Sequence, residues 1–137
     1  MMLEPSSLLR AENISVEIAG KKIVDDVSFT LHENERLMII GPNGAGKTTL
    51  VRAVSGAVPH GGSVFIGEQN RLHMKRPEIA RKLGVLTQQH EVATAYSVSQ
   101  IVKLGRYAHS SGFLSRLTPD DEQKVERALA QTGLLPM

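Results

Sequence analysis

The chain reads as an α/β fold, and three observations carry that reading. A short apolar run, Arg36-Leu37-Met38-Ile39-Ile40, leads into the glycine-rich string GPNGAGKT at residues 41–48. An apolar-faced helical pattern, Thr49-Leu50-Val51-Arg52-Ala53-Val54, follows at once. Two strand-like segments precede this unit, and helical segments dominate after residue 97. A strand–loop–helix unit belongs to a core with a parallel sheet, and the leading pair adds an antiparallel β subdomain in front of it.

Taken in order, residues 12–19 and 23–31 are two strands joined across Gly20-Lys21-Lys22. The second places Val27, Phe29 and Leu31 on one side and Asp26, Ser28 and Thr30 on the other, the alternation of a half-buried strand. His32-Glu33-Asn34-Glu35 is a polar turn, and residues 36–40 suit a buried parallel strand. Gly56 ends the next helix, and Pro59-His60-Gly61-Gly62 is a loop. Residues 63–66 form a short strand closed by Gly67, 77–82 a helical turn with Pro at its start, and 84–88 a buried strand ending in Gln88.

From residue 97 the period becomes helical. Ser97 and Gln100 have capping-box spacing, and Ile101, Val102 and Leu104 give an apolar face up to Gly105. Residues 106–117 form a loop. Thr118-Pro119 then starts a helix as cap and first-turn proline, with Val125, Ala128 and Leu129 at helical spacing and Gly133 at its end. Asp120, Asp121 and Glu122 stand near its positive end and read as a solvated helix start.

The chemistry lies in the loop of Gly41, Pro42, Asn43, Gly44, Ala45, Gly46, Lys47, Thr48 and Thr49. Its spacing is G-x-x-x-x-G-K-[ST], in which glycines let backbone N–H groups wrap a polyphosphate. Lys47 adds a charge for the β- and γ-phosphates, and the Thr48 hydroxyl suits Mg²⁺. The helix that follows turns its positive end to the same phosphates. A glycine-rich turn without a ligand is the bland alternative, and the strand and helix on either side argue against it.

Composition narrows the function classes. In 137 residues, 41% hydrophobic and 22% charged make a globular balance with room for a core. A net charge of +2 and an aromatic content of 4% without Trp argue against a nucleic-acid surface. Without Cys there is no disulfide, thiol catalysis or zinc–thiolate site. His32, His60, His73, His90 and His109 share no metal-ligand spacing. The first residues carry Glu4 and Pro5 and lack an apolar h-region, and no run is long enough to span a membrane. The expectation is a cytosolic protein that reaches a membrane only through a partner.

Gln88, taken alone, is a polar residue leaving a sheet. Placed after GPNGAGKTT and before a helical segment, the stretch resembles the ATP-binding subunits of ABC transporters, whose Q-loop glutamine stands there. IVDDVSFTLHENERLMIIGPNGAGKTTLVRAVSG is similar throughout to that family's opening, and KLGVLTQQ resembles its strand into the Q-loop. VSQIVKLGRYAH and RLTPDDEQKVERALAQTGLL resemble regions of the importer ATPases for iron–siderophore, haem and cobalamin. The resemblance covers nearly the whole chain. It implies that residues 1–137 are the N-terminal part of one ABC ATP-binding domain: a P-loop NTPase core with an N-terminal antiparallel β subdomain, an incomplete central sheet, and the start of the helical subdomain at 97–137.

The resemblance further implies that residues 41–49 cradle ATP, that Lys47 and Gln88 serve catalysis, and that Thr48 and Gln88 approach Mg²⁺ and the attacking water. Residues 90–97 would meet a coupling helix of a transmembrane permease on the cytoplasmic face of the inner membrane, and a second ATP-binding subunit would complete the dimer. Departures are plain. The position of the usual adenine-stacking aromatic is Ile18, which forgoes the roughly 0.5–1.5 kcal/mol that ring stacking adds. No LSGGQ-like signature, acidic Walker B strand or switch histidine follows within residue 137. The chain is therefore expected to be C-terminally truncated, and to bind ATP without hydrolysing it alone. The alternatives are a non-functional fragment and another P-loop enzyme such as a small-molecule kinase. A GTPase would need an Asn-Lys-x-Asp guanine reader, which does not occur.

Overall fold

A computed structural model describes residues 7–86, 96–109 and 117–134. The chain divides into two units, Met1–Leu83 and Gly84–Met137. The first is a sheet with one helix on its face. Strands β1 (Ser7–Ile18), β2 (Lys21–His32), β3 (Gly61–Ile66) and β4 (Gln69–Asn70) pair antiparallel in the order β2-β1-β3-β4. Helix α1 (Lys47–Ser55) follows the glycine-rich loop, and α2 (Arg76–Lys82) closes the unit.

The leading hairpin is longer than its sequence pattern, because its turn is only Ala19-Gly20. Both residues have positive φ, 50° and 75°, as the tight hairpin turn matching strand twist requires. Lys21 and Lys22 therefore pair with Ile18 and Glu17 instead of looping. Farther along, strict alternation breaks: Ala11, Ile14 and Val16 are all buried although the first two are three positions apart. Bulges at Asn13 (φ 53°) and Asp26 (φ 50°) make this possible. Their freed N–H groups donate to the Ser28 and Ser15 hydroxyls at 2.8 and 3.0 Å, and the Asn13 amide donates to Asp26 at 2.8 Å. Gly62 faces the first bulge, where a Cβ would meet the Glu12 carbonyl oxygen at 2.2 Å.

On the inward face, α1 lays Leu50, Ala53 and Val54 over Ala11, Ile14, Val16, Val24 and Val64. That is helical spacing meeting strand spacing, and Ala53 and Ile14 are fully buried. Neither of two expected strands is present among the described residues. Residues 36–40 are irregular, with Met38 and Ile40 79% and 84% exposed. Residues 84–86 are irregular too, with Leu86 90% exposed, while Thr87 and Gln88 lie outside the described residues. An apolar run becomes a strand only when neighbours take its N–H and C=O groups, and among the described residues neither run has one. Among the described residues no parallel strand joins the antiparallel sheet.

In the second unit, α3 (Val98–Leu104) and α4 (Pro119–Gln131) pack together. Ser97 accepts from the Gln100 N–H at 3.2 Å, while the Gln100 side chain accepts from the Ser97 N–H at 2.8 Å, closing the expected capping box. Thr118 caps α4 in the same way, with Asp121 as its third residue. Here the solvated reading of Asp121 fails. Its residue is only 6% exposed. One carboxylate oxygen accepts from Arg106 Nε and Nη2, each at 2.8 Å. The other accepts from the Thr118 hydroxyl at 2.7 Å and its N–H at 3.0 Å. Burial is tolerable because both oxygens are fully used. Residues 106–109 thus begin with a structural tie and include a short 3₁₀ turn at Tyr107–His109, while residues 110–116 of the expected loop lie outside the described residues.

These bonds from Thr118, then Arg106, hold the Asp121 carboxyl down to about 2 from its ordinary 3.8. A depressed carboxyl stabilises the folded state above its unfolded pKa, and the contribution disappears as pH falls through its folded value. Amide protection factors in α3 and α4, corrected for the intrinsic pH dependence of exchange, should therefore fall between pH 4 and about 2. Asp121→Asn should show the faster exchange already at pH 7, with the gap from the parent closing in acid. Equal protection of both proteins at pH 7 would show that the pair does not hold these helices.

Candidate phosphate-binding loop

The loop at 41–49 is positioned by the docked helix behind it. Leu50, Ala53 and Val54 fix α1 against the sheet, so the first turn of α1 and the glycines before it have little freedom. Gly44 and Gly46 have φ of 83° and 86°, values that side chains rarely tolerate. Gly46 is also crowded. A Cβ there would lie 2.5 Å from the Ile23 carbonyl oxygen and 3.4 Å from the Val24 side chain. Gly44 has open space in the same test. The loop is thus pinned at one glycine and free at the other.

Within the loop, the Ala45 N–H donates to the Pro42 carbonyl at 3.2 Å, and the Leu50 N–H to Gly46 at 2.8 Å. Among the described residues, the N–H groups of Gly44, Gly46, Lys47, Thr48 and Thr49 take no acceptor. The last three belong to the first turn of α1, where such groups have no partner within the helix. Lys47 Nζ donates to the carbonyls of Gly41 and Pro42, both at 2.7 Å. The ammonium therefore lies across the loop mouth, held by two neutral acceptors and by no carboxylate. Oriented donors, a helix N-terminus and a lysine charge in one place make a seat for a polyanion.

The other expected site residues fare differently. Thr48 is exposed and Thr49 half-buried at the start of α1. Gln88 and residues 90–95 of the permease-facing segment lie outside the described residues. Ile18 is exposed at the end of β1, beside the hairpin turn. No group of histidines and acids among the described residues is arranged to hold a metal ion. What sequence reading missed is the seat of Gly46: no pattern in residues 23–24 announces that this backbone presses on the loop. It also missed Arg106 with Asp121, which Leu104-Gly105-Arg106 and the Thr118 cap only outline.

Replacing Gly46 with alanine should cost more than replacing Gly44. Both carry the left-handed penalty of about 1 kcal/mol, but only Gly46→Ala meets backbone. The check is chemical denaturation of both variants: Gly46→Ala should lower stability by at least about 1 kcal/mol more. Equal losses would mean that the Ile23 seat does not constrain the loop.

Comparison with known proteins places this geometry. The ABC transporter family matches residues 24–137. The hemin import ATP-binding protein HmuV of Mesorhizobium japonicum is 37% identical over 127 residues, covering 93% of this chain and 47% of that protein. The cobalamin import ATP-binding protein BtuD of Halobacterium salinarum is 33% identical over 127 residues, covering 92% and 31%. The chain thus spans half or less of the length of these relatives. A nucleotide-free ATP-binding cassette from an ABC transporter superposes with a TM-score of 0.68 at 25% identity, over 93% of this chain and 55% of that one. A pinned glycine loop ahead of a docked helix, an antiparallel sheet in front and a family match over most of the sequence agree: the chain belongs to the ABC transporter family and has a partial ATP-binding cassette fold.

Proposed function

We propose that residues 41–49 hold the phosphates of Mg·ATP, and that the chain serves as the ATP-binding subunit of an importer for an iron chelate, haem or cobalamin. The observation that carries the nucleotide reading is the row of N–H groups without acceptors around Lys47. ATP would supply the phosphoryl chemistry, with Mg²⁺ offsetting its charge. The chain's own part is binding and orientation. Lys47 exchanges two neutral carbonyls for phosphate oxygens, a charge-assisted gain. Gly44, Gly46 and the first turn of α1 offer their N–H groups, and Thr48 offers its hydroxyl to the ion. Gln88 is proposed to reach the same ion and the attacking water. The base meets an aliphatic hairpin end at Ile18.

The importer reading is supported by the relatives named for hemin and cobalamin import. On it, residues 90–97 face a transmembrane permease, and a second ATP-binding subunit completes the assembly at the cytoplasmic face of the inner membrane. No helix among the described residues is long and apolar enough to cross a membrane, so attachment would run through the permease.

Calorimetric titration with Mg·ATP tests the loop. Lys47→Ala should weaken binding by at least about tenfold, or 1.4 kcal/mol. A variant that binds as tightly as the parent would sink the assignment. Residues 1–137 alone are proposed to bind without turnover, because among the described residues no carboxylate is placed at the loop to orient water. Phosphate release should stay at the level of the Lys47→Ala control, and steady release above it would overturn that part.

A further inference from the structure

The phosphate-binding loop also carries a reactive pair, Asn43-Gly44. An asparagine followed by glycine is open to attack on its side-chain amide by the next backbone nitrogen, because no Cβ shields that nitrogen. Whether the attack takes place depends on how the peptide between them is held.

Here it is held loosely. Pro42 to Ala45 make a turn closed by the Ala45 N–H on the Pro42 carbonyl at 3.2 Å. Within that turn, neither the Asn43 C=O nor the Gly44 N–H has a hydrogen-bond partner among the described residues. Both residues are exposed, and a Cβ at Gly44 would meet nothing within 4 Å. The other asparagines of the chain are placed differently. Asn13 precedes Ile14, and its amide donates to Asp26 at 2.8 Å. Asn70 precedes Arg71, and its side-chain oxygen accepts from the Leu72 N–H at 2.9 Å. Asn34 precedes Glu35, whose side chain stands beside the nitrogen that would attack.

We propose that Asn43 is a self-modification site, which deamidates to an acidic residue and so weakens the hold of the loop on phosphate. The Gly44 nitrogen loses its proton to hydroxide and attacks Asn43 Cγ. The N–Cγ bond forms, the Cγ–Nδ2 bond breaks, and Nδ2 leaves as ammonia with a proton from water. Water then opens the five-membered imide at either carbonyl, leaving aspartate or isoaspartate. Either product puts a negative charge next to Pro42, whose carbonyl lies 2.7 Å from Lys47 Nζ. The new carboxylate competes with phosphate for that ammonium and repels it. Isoaspartate also lengthens the backbone inside the G-x-x-x-x-G-K spacing. The conversion rests on the geometry of the loop alone, and its effect on binding rests on the nucleotide reading.

The test ages the chain in mildly alkaline buffer and follows amide-to-acid conversion at each asparagine by peptide mass spectrometry. Asn43 should convert at least about tenfold faster than Asn13, Asn34 or Asn70, and Gly44→Ala should slow it by a similar factor. Calorimetry then compares Mg·ATP binding by Asn43→Asp and Asn43→Ser, two folded variants that differ in charge; the aspartate should bind at least about tenfold more weakly. Conversion at Asn43 no faster than at the other three asparagines would overturn the proposal. So would an Asn43→Asp variant that binds as tightly as Asn43→Ser. A parent chain that does not bind Mg·ATP would sink the nucleotide reading, and the conversion rates would then decide the modification site by themselves.

Discussion

The contact on which the rest depends is backbone against backbone: Gly46 beneath the carbonyl of Ile23. It joins the end of the phosphate-binding loop to the second strand of the hairpin with room for nothing larger than hydrogen. Behind it, Leu50, Ala53 and Val54 bury α1 on the sheet. One apolar face therefore sets both the direction of the helix and the position of its unpaired N–H groups. Lys47 emerges at that junction, its ammonium bridging two loop carbonyls. An anion seat built this way needs no reorganised core, because its donors are the orphan groups that any helix start possesses.

The hairpin that supplies the seat is itself shaped by irregularity. Bulges at Asn13 and Asp26 shift the register so that Ala11, Ile14 and Val16 share the inward face. Ser15 and Ser28 take the N–H groups that the bulges free. A regular hairpin would turn part of this face outward, since a one-residue slip exchanges the two sides of a strand. The second unit shows the same economy. Arg106, Thr118 and Asp121 satisfy a buried carboxylate and cap α4 at once.

The apolar surface of Met38, Ile40 and Leu86 has a different origin. Both runs carrying these residues have the composition of buried strands, and parallel strands belong to sheets covered on both faces. With the described sheet limited to the antiparallel hairpin and its two added strands, these residues keep their strand-like sequence without strand structure. Exposed apolar stretches of this kind mark surfaces made for burial.

By itself the sequence determined what local chemistry dictates: the spacing of GPNGAGKT, the helix that follows it, the caps at Ser97 and Thr118, and the alternation of residues 27–31. Each rests on contacts within a few residues, so each can be read along the chain. The family resemblance was legible for the same reason, through motifs at residues 41–48 and their flanking segments. Only the tertiary structure decided that Gly46 is pinned by Ile23, that Asp121 is buried on Arg106, and that residues 36–40 stay outside the sheet. All three depend on partners distant in sequence. Periodicity reports which face of an element is apolar, and it is silent on which backbone or charge that face will meet.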